Sequence, residues 1–332
     1  MARKVQNKSS SKMKFSELAA QWLLSVSYGL KESTLAHYHY TLERYLLPVF
    51  GEDSLSNLDE QRLEQGILQV ISAQSGGHKP LGASSSRECL TMLRRICKYA
   101  AHLHLMRSME VCVKLPQMET NQTKPFSAQE QVEVRDFVLA DPTPRKAGLL
   151  LQMQLGLRIG EVCGLQWGDF DFKAGTLPIR RTVSRIYCGA GCTKIVVQTP
   201  KTKSSGREIP IPHDLAALLR KLRGSASPET WFLSGSTERP VEPRCYRKSI
   251  QSYLHRAGVR RVHPHALRHT FATTCLQSGC DIKTLSEILG HADANVTLKR
   301  YVHSDMKRKK TEMQRVFAAV WKKRPLPVHM ST

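Results

Sequence analysis

The chain contains no run of apolar residues approaching about 18, the length that crosses a membrane, so no membrane partner is expected. It is also poor in acidic residues: 28 Asp and Glu stand against 50 Lys and Arg, which leaves a net charge of +22. An excess that large repels itself in the compact state unless a polyanion compensates it, which indicates a nucleic-acid partner. Ribosomal, chromatin and membrane-surface proteins can be equally basic, so charge alone does not decide the class.

Cysteine pairs with metal-binding spacing are missing as well. The nine cysteines are an odd number in a 332-residue chain that is too long to need disulfide cross-links, which predicts reduced thiols in a cytoplasmic protein. Cys188 and Cys192 are close in sequence, as are Cys275 and Cys280, but neither pair has CxxC spacing. The basic segment 1–13 is not followed by an apolar run, which argues against a signal peptide. Neither a metal nor a cofactor is expected.

The first third of the chain has the pattern of a helical unit. Apolar residues recur at helical spacing from Phe15 to about Tyr45, with Ser33 or Thr34 as a plausible N-cap within this stretch. Further helices are predicted at about 59–72 and 85–104. We therefore divide the chain into a basic arm (1–13), a helical domain (14–113), a polar, proline-bearing linker (114–126), a second domain (127–303) and a C-terminal helix with its tail (304–332).

The second domain mixes helices with a few strands. Ser127 and Glu130 have capping-box spacing at its start, and residues 145–165 have the pattern of two apolar helices. The stretch "KIVVQTPKTKSSGREIPI" reads as two strands around a turn, and the chain returns to helices from about 243. The predicted fold class is mainly α with a small antiparallel β-sheet.

The stretch "HALRHT" groups His265, Arg268 and His269 within five residues. The two histidines share one helix face, as in zinc sites, but Ala266 stands where a metalloprotease has glutamate, and Arg268 would set a cation beside the metal. His265 and Arg268, three residues apart, instead form a donor pair suited to a phosphate. For this segment alone, a solvated polar helix face remains an equal alternative.

Three other segments carry candidate groups. In "GLRIGEVCGL", Arg158 lies among apolar residues, and Glu161 is its natural partner; an internal salt bridge is the alternative to an anion site. "LGHADANVTLKRYVH" supplies His291, interpreted as lying at a helix start, and Tyr301, which would be a packing residue in most proteins. Lys201 and Lys203 fall at the predicted turn between strands, usually a solvated place.

Together, the phrases "GLRIGE", "TPKTKSS", "REIPI", "HALRHTFAT" and "LGHAD…RYVH" closely resemble the tyrosine recombinase (phage integrase) family. The resemblance is strong over 127–303 and extends weakly over 14–110, which looks like the helical core-binding domain of these enzymes. The pattern is most similar to integrases of Gram-positive phages and conjugative transposons, mobile genetic elements. It implies a helical core-binding domain plus an α/β catalytic domain.

The resemblance also implies roles for individual residues. Tyr301 attacks the DNA backbone and becomes joined to the 3′ phosphate, which conserves the energy of the phosphodiester without metal or ATP. Arg158 and Arg268 hold the non-bridging oxygens of the transition state. His265 and His291 add hydrogen bonds, and His265 can take the tyrosine proton. The further roles are as follows: Lys201, with Lys203 as runner-up, protonates the departing 5′ oxygen; Glu161 orients Arg158; His269 packs behind the site.

The expected partner is double-stranded DNA with core-type inverted half-sites, bound by a homotetramer that exchanges strands through a Holliday junction. The helix within 304–332 would dock on a neighbouring protomer, or pack on its own domain. Only about 13 residues precede the first helix, which favours simple core sites over an added arm-binding domain. Accessory DNA-bending or directionality proteins are possible partners, and the expected location is the cytoplasm, associated with the nucleoid.

Two alternatives stay open at this point. A type IB topoisomerase uses similar Arg, Lys, His and Tyr chemistry to relax DNA, although His265 and "LGHAD" favour a recombinase. A catalytically silent, architectural DNA-binding protein is the other, although all six expected catalytic positions are filled.

Overall fold

The structure is a computed structural model that describes residues 12–72, 79–117, 124–200 and 206–291, and beyond these only positions 293, 295, 310, 313–315 and 318. The described residues form two compact units. The N-terminal unit is drawn from 1–123, 181–201 and 240–246, and the C-terminal unit from 124–180, 202–239 and 247–332. A segment in the middle of the chain thus joins the helices of the N-terminal unit, a grouping that the sequence did not suggest.

The described residues of the N-terminal unit form five α-helices. They are α1 (Phe15–Ser27), α2 (Glu32–Thr41), α3 (Leu47–Phe50), α4 (Glu60–Ser72) and α5 (Ala83–His102). A π-helical turn, Leu42–Leu46, joins α2 to α3, and Pro48, which has no N–H to donate, stands in the first turn of α3. The predicted helices at about 59–72 and 85–104 are confirmed within two residues, whereas the N-cap of α2 is Lys31, not Ser33 or Thr34.

An apolar core holds these helices together. Its fully buried side chains include Phe15, Leu46, Phe50, Ile67 and Leu93. Gly66 allows α4 to pack closely against α3, because a Cβ at this position would overlap the Phe50 ring. Burial of large apolar side chains, each contributing about 1.5–3 kcal/mol, is the main source of this unit's stability.

A β-hairpin belongs to the same unit. Strands β2 (Thr182–Tyr187) and β3 (Thr193–Gln198) pair antiparallel around the turn at 188–192. Lys194 forms an ion pair of 2.7 Å with Glu32 of α2, and Lys31 donates to the carbonyls of Thr199 and Pro200 at 3.1 and 2.7 Å. The hairpin is therefore fixed to α2 by these polar contacts and by the ring contact of Tyr40 with Tyr187.

The C-terminal unit contains most of the remaining helices and a second, two-stranded sheet. The helices are α6 (Ala128–Ala140), α7 (Pro144–Gln154), α8 (Ile159–Cys163), α9 (His213–Arg223), α11 (Pro264–Gln277) and α12 (Ile282–Leu289); α10 (Pro243–Arg256) begins in the N-terminal unit. The sheet pairs β1 (Thr176–Pro178) with β4 (Glu208–Pro210), antiparallel. Ser127 and Glu130 form the predicted capping box of α6.

One strand prediction is wrong. The two strands predicted around the Lys/Ser/Gly turn are β3 and β4, but they do not pair with each other: β3 pairs with β2 and β4 with β1. Lys201 and Lys203, which follow β3 and precede β4 in the sequence, lie outside the described residues. The predicted fold class, mainly α with a small antiparallel sheet, is confirmed. No helix within the described ranges has both the length and the apolar character to cross a membrane.

Candidate active site

Arg268 is the most deeply placed of the candidate residues. It lies in the second turn of α11, and the residue is 4% exposed. Its guanidinium donates to the carbonyl of Gly156 at 2.8 Å, to that of Leu289 at 2.6 Å, and to Nε2 of His291 at 3.0 Å. A buried cation needs such partners, because desolvation otherwise disfavours it strongly.

Gly156 makes this contact possible. Its φ of +67° lies in the left-handed region, which disfavours residues with a side chain. A Cβ at this position would also lie 2.5 Å from the Phe271 ring. The backbone can therefore approach α11 closely enough for its carbonyl to accept from Arg268.

Arg158 stands at the N-cap of α8 and pairs with Glu161, as predicted. Its backbone N–H donates to Oε2 of Glu161 at 2.8 Å, its Nη1 to Oε1 at 2.8 Å, and its Nη2 to the carbonyl of Gly290 at 3.3 Å. Although Arg158 lies among apolar residues in the sequence, 35% of its side chain is exposed. The helix cap places the residue at the rim of the apolar segment, so one side of the guanidinium remains accessible.

Arg207 completes the cluster, and sequence reasoning assigned it no role. Its Nη1 and Nη2 donate to the two carboxylate oxygens of Glu161, each at 3.0 Å, and its Nε donates to the carbonyl of Ile288. Only 6% of its side chain is exposed. One signal could have indicated it: an arginine directly precedes the apolar strand "EIPI", and a buried Glu161 has more acceptor sites than Arg158 alone can fill.

Glu161 is ionised in this environment. Burial raises its pKa, but the hydrogen bond and charge of Arg207, together with the charge and backbone N–H of Arg158, outweigh burial and lower the pKa to about 2. The carboxylate stays charged at neutral pH and binds two arginines at once. The cluster of Arg158, Glu161, Arg207 and Arg268 keeps a net positive charge, which suits an oxyanion.

The C-terminal end of α12 is the common support of the three arginines. The carbonyls of Ile288, Leu289 and Gly290 accept from Arg207, Arg268 and Arg158 respectively. These carbonyls lack partners within the helix and carry the negative end of its dipole, so they are natural acceptors for cations. Gly290 ends the helix with a φ of +65°.

His291 follows that end directly, beyond the C-terminus of α12. The helix predicted to start here would fall mainly on residues outside those described. Because arginine can only donate, the Nε2 of His291 must accept from Arg268, which places the imidazole proton on Nδ1. Arg268 therefore fixes the tautomer of the His291 imidazole.

His265 is exposed in the first turn of α11 and stacks on His263, with ring centroids 5.4 Å apart and an interplanar angle of 10°. His263, a second residue that sequence reasoning missed, caps α11 by accepting from the His265 N–H at 3.4 Å. Burial, together with the charge of Arg247, lowers the pKa of His263. His263 therefore favours its neutral form, in which Nδ1 can act as the cap.

The structure thus brings together four of the nine candidate site residues through hydrogen bonds: Arg158, Glu161, Arg268 and His291. His265 shares a helix with Arg268, and His269 is half-buried on the same helix, where its supporting role stays a prediction. Lys201, Lys203 and Tyr301 lie outside the described residues. Within the described ranges, no three His, Cys, Asp or Glu side chains are placed to hold a metal ion.

The fold is the one seen in solved structures of integrases. The chain superposes on the integrase of transposon Tn1549, solved in complex with a circular intermediate DNA, with a TM-score of 0.72 and 19% sequence identity, covering 92% of this chain and 100% of that one. The phage integrase family model matches residues 126–308, and the N-terminal SAM-like domain of phage integrases matches 14–67. The chain belongs to the phage integrase family.

Relatives agree with this membership. The integrase of Staphylococcus phage L54a is 25% identical over 330 residues, covering 90% of this chain and 92% of that protein. The XerC-like tyrosine recombinase of Caldanaerobacter subterraneus subsp. tengcongensis is 32% identical over 182 residues, which are 49% of this chain and 46% of that protein. The match to the second relative thus spans about half of its length.

Proposed function

We propose that the protein is a site-specific DNA recombinase that cuts and rejoins strands through a 3′-phosphotyrosine intermediate and a Holliday junction. The observation that carries this proposal is the cluster around α12, which holds two candidate phosphate ligands, Arg158 and Arg268, next to His291. Fixed donors aimed at developing negative charge are the largest single source of rate enhancement in such reactions.

In the proposed reaction, the Tyr301 hydroxyl attacks the scissile phosphorus and passes its proton to His265. Arg158, Arg268 and the Nδ1–H of His291 stabilise the extra negative charge on the non-bridging oxygens. The bond from phosphorus to the 5′ oxygen breaks, and Lys201, or Lys203 in its place, protonates that oxygen. The reverse attack by a 5′ hydroxyl of another strand releases Tyr301 and rejoins the DNA.

The net charge of +22 supports duplex DNA as the partner, with affinity that falls steeply with salt. Core-type inverted half-sites, a homotetramer on DNA, accessory bending or directionality proteins and association with the nucleoid are parts of the same proposal. They rest on the family resemblance.

The test is to trap covalent protein–DNA adducts under denaturing conditions in cells that hold the native genome, and to sequence the attached ends. We expect adducts at one or two discrete sequences, absent in Tyr301→Phe and retained in the control Tyr28→Phe, which removes a fully exposed hydroxyl in the N-terminal unit. Adducts scattered over supercoiled DNA would instead indicate a topoisomerase. Discrete binding without any adduct would indicate an architectural protein.

A further inference from the structure

We infer that Arg207 is a positioning residue of the strand-cleavage site: it holds Glu161 and the last turn of α12 so that Arg158 keeps its charge and orientation for the scissile phosphate. This inference rests on the proposed function. It concerns a residue that does not itself meet the DNA, and it follows from three features of the cluster.

The first feature is the difference in exposure between the two arginines that share Glu161. The Arg158 side chain is 35% exposed, whereas that of Arg207 is 6% exposed. Both guanidinium ends of Arg207 face the carboxylate in a two-pronged arrangement, at 3.0 Å each. Arg207 is thus directed inward, and Arg158 is the arginine of this pair that a phosphate can reach.

The second feature is the division of charge. Oε1 of Glu161 accepts from both arginines, and Oε2 accepts from Arg207 and from the Arg158 backbone N–H. With Arg207 present, one carboxylate faces two guanidinium groups, so one positive charge is left over. Without Arg207, the carboxylate would neutralise Arg158 alone, and the side chain that faces the phosphate would contribute less net charge to it.

The third feature is mechanical. The Nε of Arg207 donates to the carbonyl of Ile288, two residues before Gly290, whose carbonyl accepts from Arg158. The backbone of Arg207 is itself fixed, since its carbonyl accepts from the N–H of Ile179 at 2.7 Å beside the β1–β4 sheet. Arg207 therefore joins the sheet to the helix end from which His291 emerges, and its loss would loosen both Arg158 and that helix end.

The test compares cleavage by Arg207→Gln on two nicked DNA substrates that carry the mapped recombination site. One has a normal scissile phosphodiester, and the other has a neutral methylphosphonate, in which methyl replaces one non-bridging oxygen. On the phosphodiester we expect covalent adduct formation to slow by about 10- to 100-fold, with unchanged DNA affinity, because a displaced donor can cost on the order of 10²-fold. On the methylphosphonate the defect should shrink to about threefold, because less charge develops for Arg158 to stabilise.

Two further variants make the result specific. Arg207→Lys keeps the charge but not the two-pronged geometry, so it should recover part of the rate. Arg135→Gln, which removes a half-exposed arginine paired with its neighbour Asp136, should match the wild type on both substrates. If Arg207→Gln does not fold, Arg207→Gln with Glu161→Gln removes both buried charges, and its defect should likewise be smaller on the methylphosphonate.

The outcomes separate this inference from the proposed function. Wild-type adducts together with an equal defect of the Arg207 variants on both substrates would mean that Arg207 only stabilises the fold, and the inference would fail. It would fail equally if the variant rate lay within about twofold of the wild type on the phosphodiester. A wild type that forms no adduct at all would instead overturn the proposed function.

Discussion

The two units bury different kinds of side chain. In the described part of the N-terminal unit, the buried polar residues are the uncharged Thr41 and Ser86, whereas the C-terminal unit buries four charged residues. These are Lys146, Glu161, Asp169 and Arg268. Buried ion pairs seldom stabilise a protein more than apolar packing would, because desolvation offsets most of their attraction. The contrast indicates that the ionic cluster of the C-terminal unit serves the site, whereas the ion pairs described in the N-terminal unit are partly or largely exposed and its core is apolar.

The strongest test of this difference between the two units is to remove the carboxylate at the centre of the cluster. Glu161→Ala leaves the buried Arg207 without its counter-ion, and removal of one partner from a buried pair costs about 4 kcal/mol. We expect a loss of that size in the free energy of unfolding. Hydrogen-exchange mass spectrometry should locate it in peptides of 144–165, with 85–100 unaffected.

Asp214→Ala is the matched control, because it removes a fully exposed carboxylate from the same unit. It should leave the exchange of both regions unchanged. A Glu161→Ala protein that is as stable as the control would show that the cluster is loosely held, and the contrast between the two units would lose its basis.

The contrast also separates what sequence can predict from what it cannot. The bounds of α4 and α5 were predicted within two residues, because an amphipathic pattern and its interruptions are local signals. The Arg158–Glu161 pair was also local, at a spacing of three residues. Arg207 lies 46 residues from Glu161, and no periodicity links them.

The same reason explains the strand error. Two β-prone segments around a turn look like a hairpin locally, but β3 and β4 each found a partner elsewhere in the chain. Similarly, the sequence pattern did not reveal that Gly290, in a left-handed conformation, ends α12 directly before His291. In each case a long-range partner or a backbone conformation decided what the residue pattern left open.

A second prediction concerns the pH dependence of the free energy of unfolding. The pKa of Glu161 is lowered to about 2, so its contribution to stability is complete above the unfolded value of 4.5 and is lost as the pH falls towards 2. Between pH 5 and pH 3, the wild type should therefore lose about 2 kcal/mol more than Glu161→Gln, as measured by urea unfolding at each pH.

Leu93→Ala is the control for this pH profile. Leu93 is fully buried in the apolar core of the N-terminal unit, and its truncation should cost about 3 kcal/mol by leaving a cavity. Since no charge is changed, that cost should be the same at pH 5 and pH 3. If the free energy of unfolding changed with pH to the same extent in the wild type and in Glu161→Gln, the arginines would not be holding the carboxylate in its ionised form.

The smallest effect is expected where charges pair in solvent. Lys194 and Glu32 join the hairpin to α2, but their side chains are 54% and 48% exposed, so water and salt screen their attraction. Lys194→Gln should leave the urea midpoint unchanged, and raising the salt concentration should affect the variant and the wild type equally. A clear loss of stability in Lys194→Gln, absent at high salt, would show that the N-terminal unit also depends on ion pairs. The division between a unit held by packing and a unit organised by charge would then be one of degree.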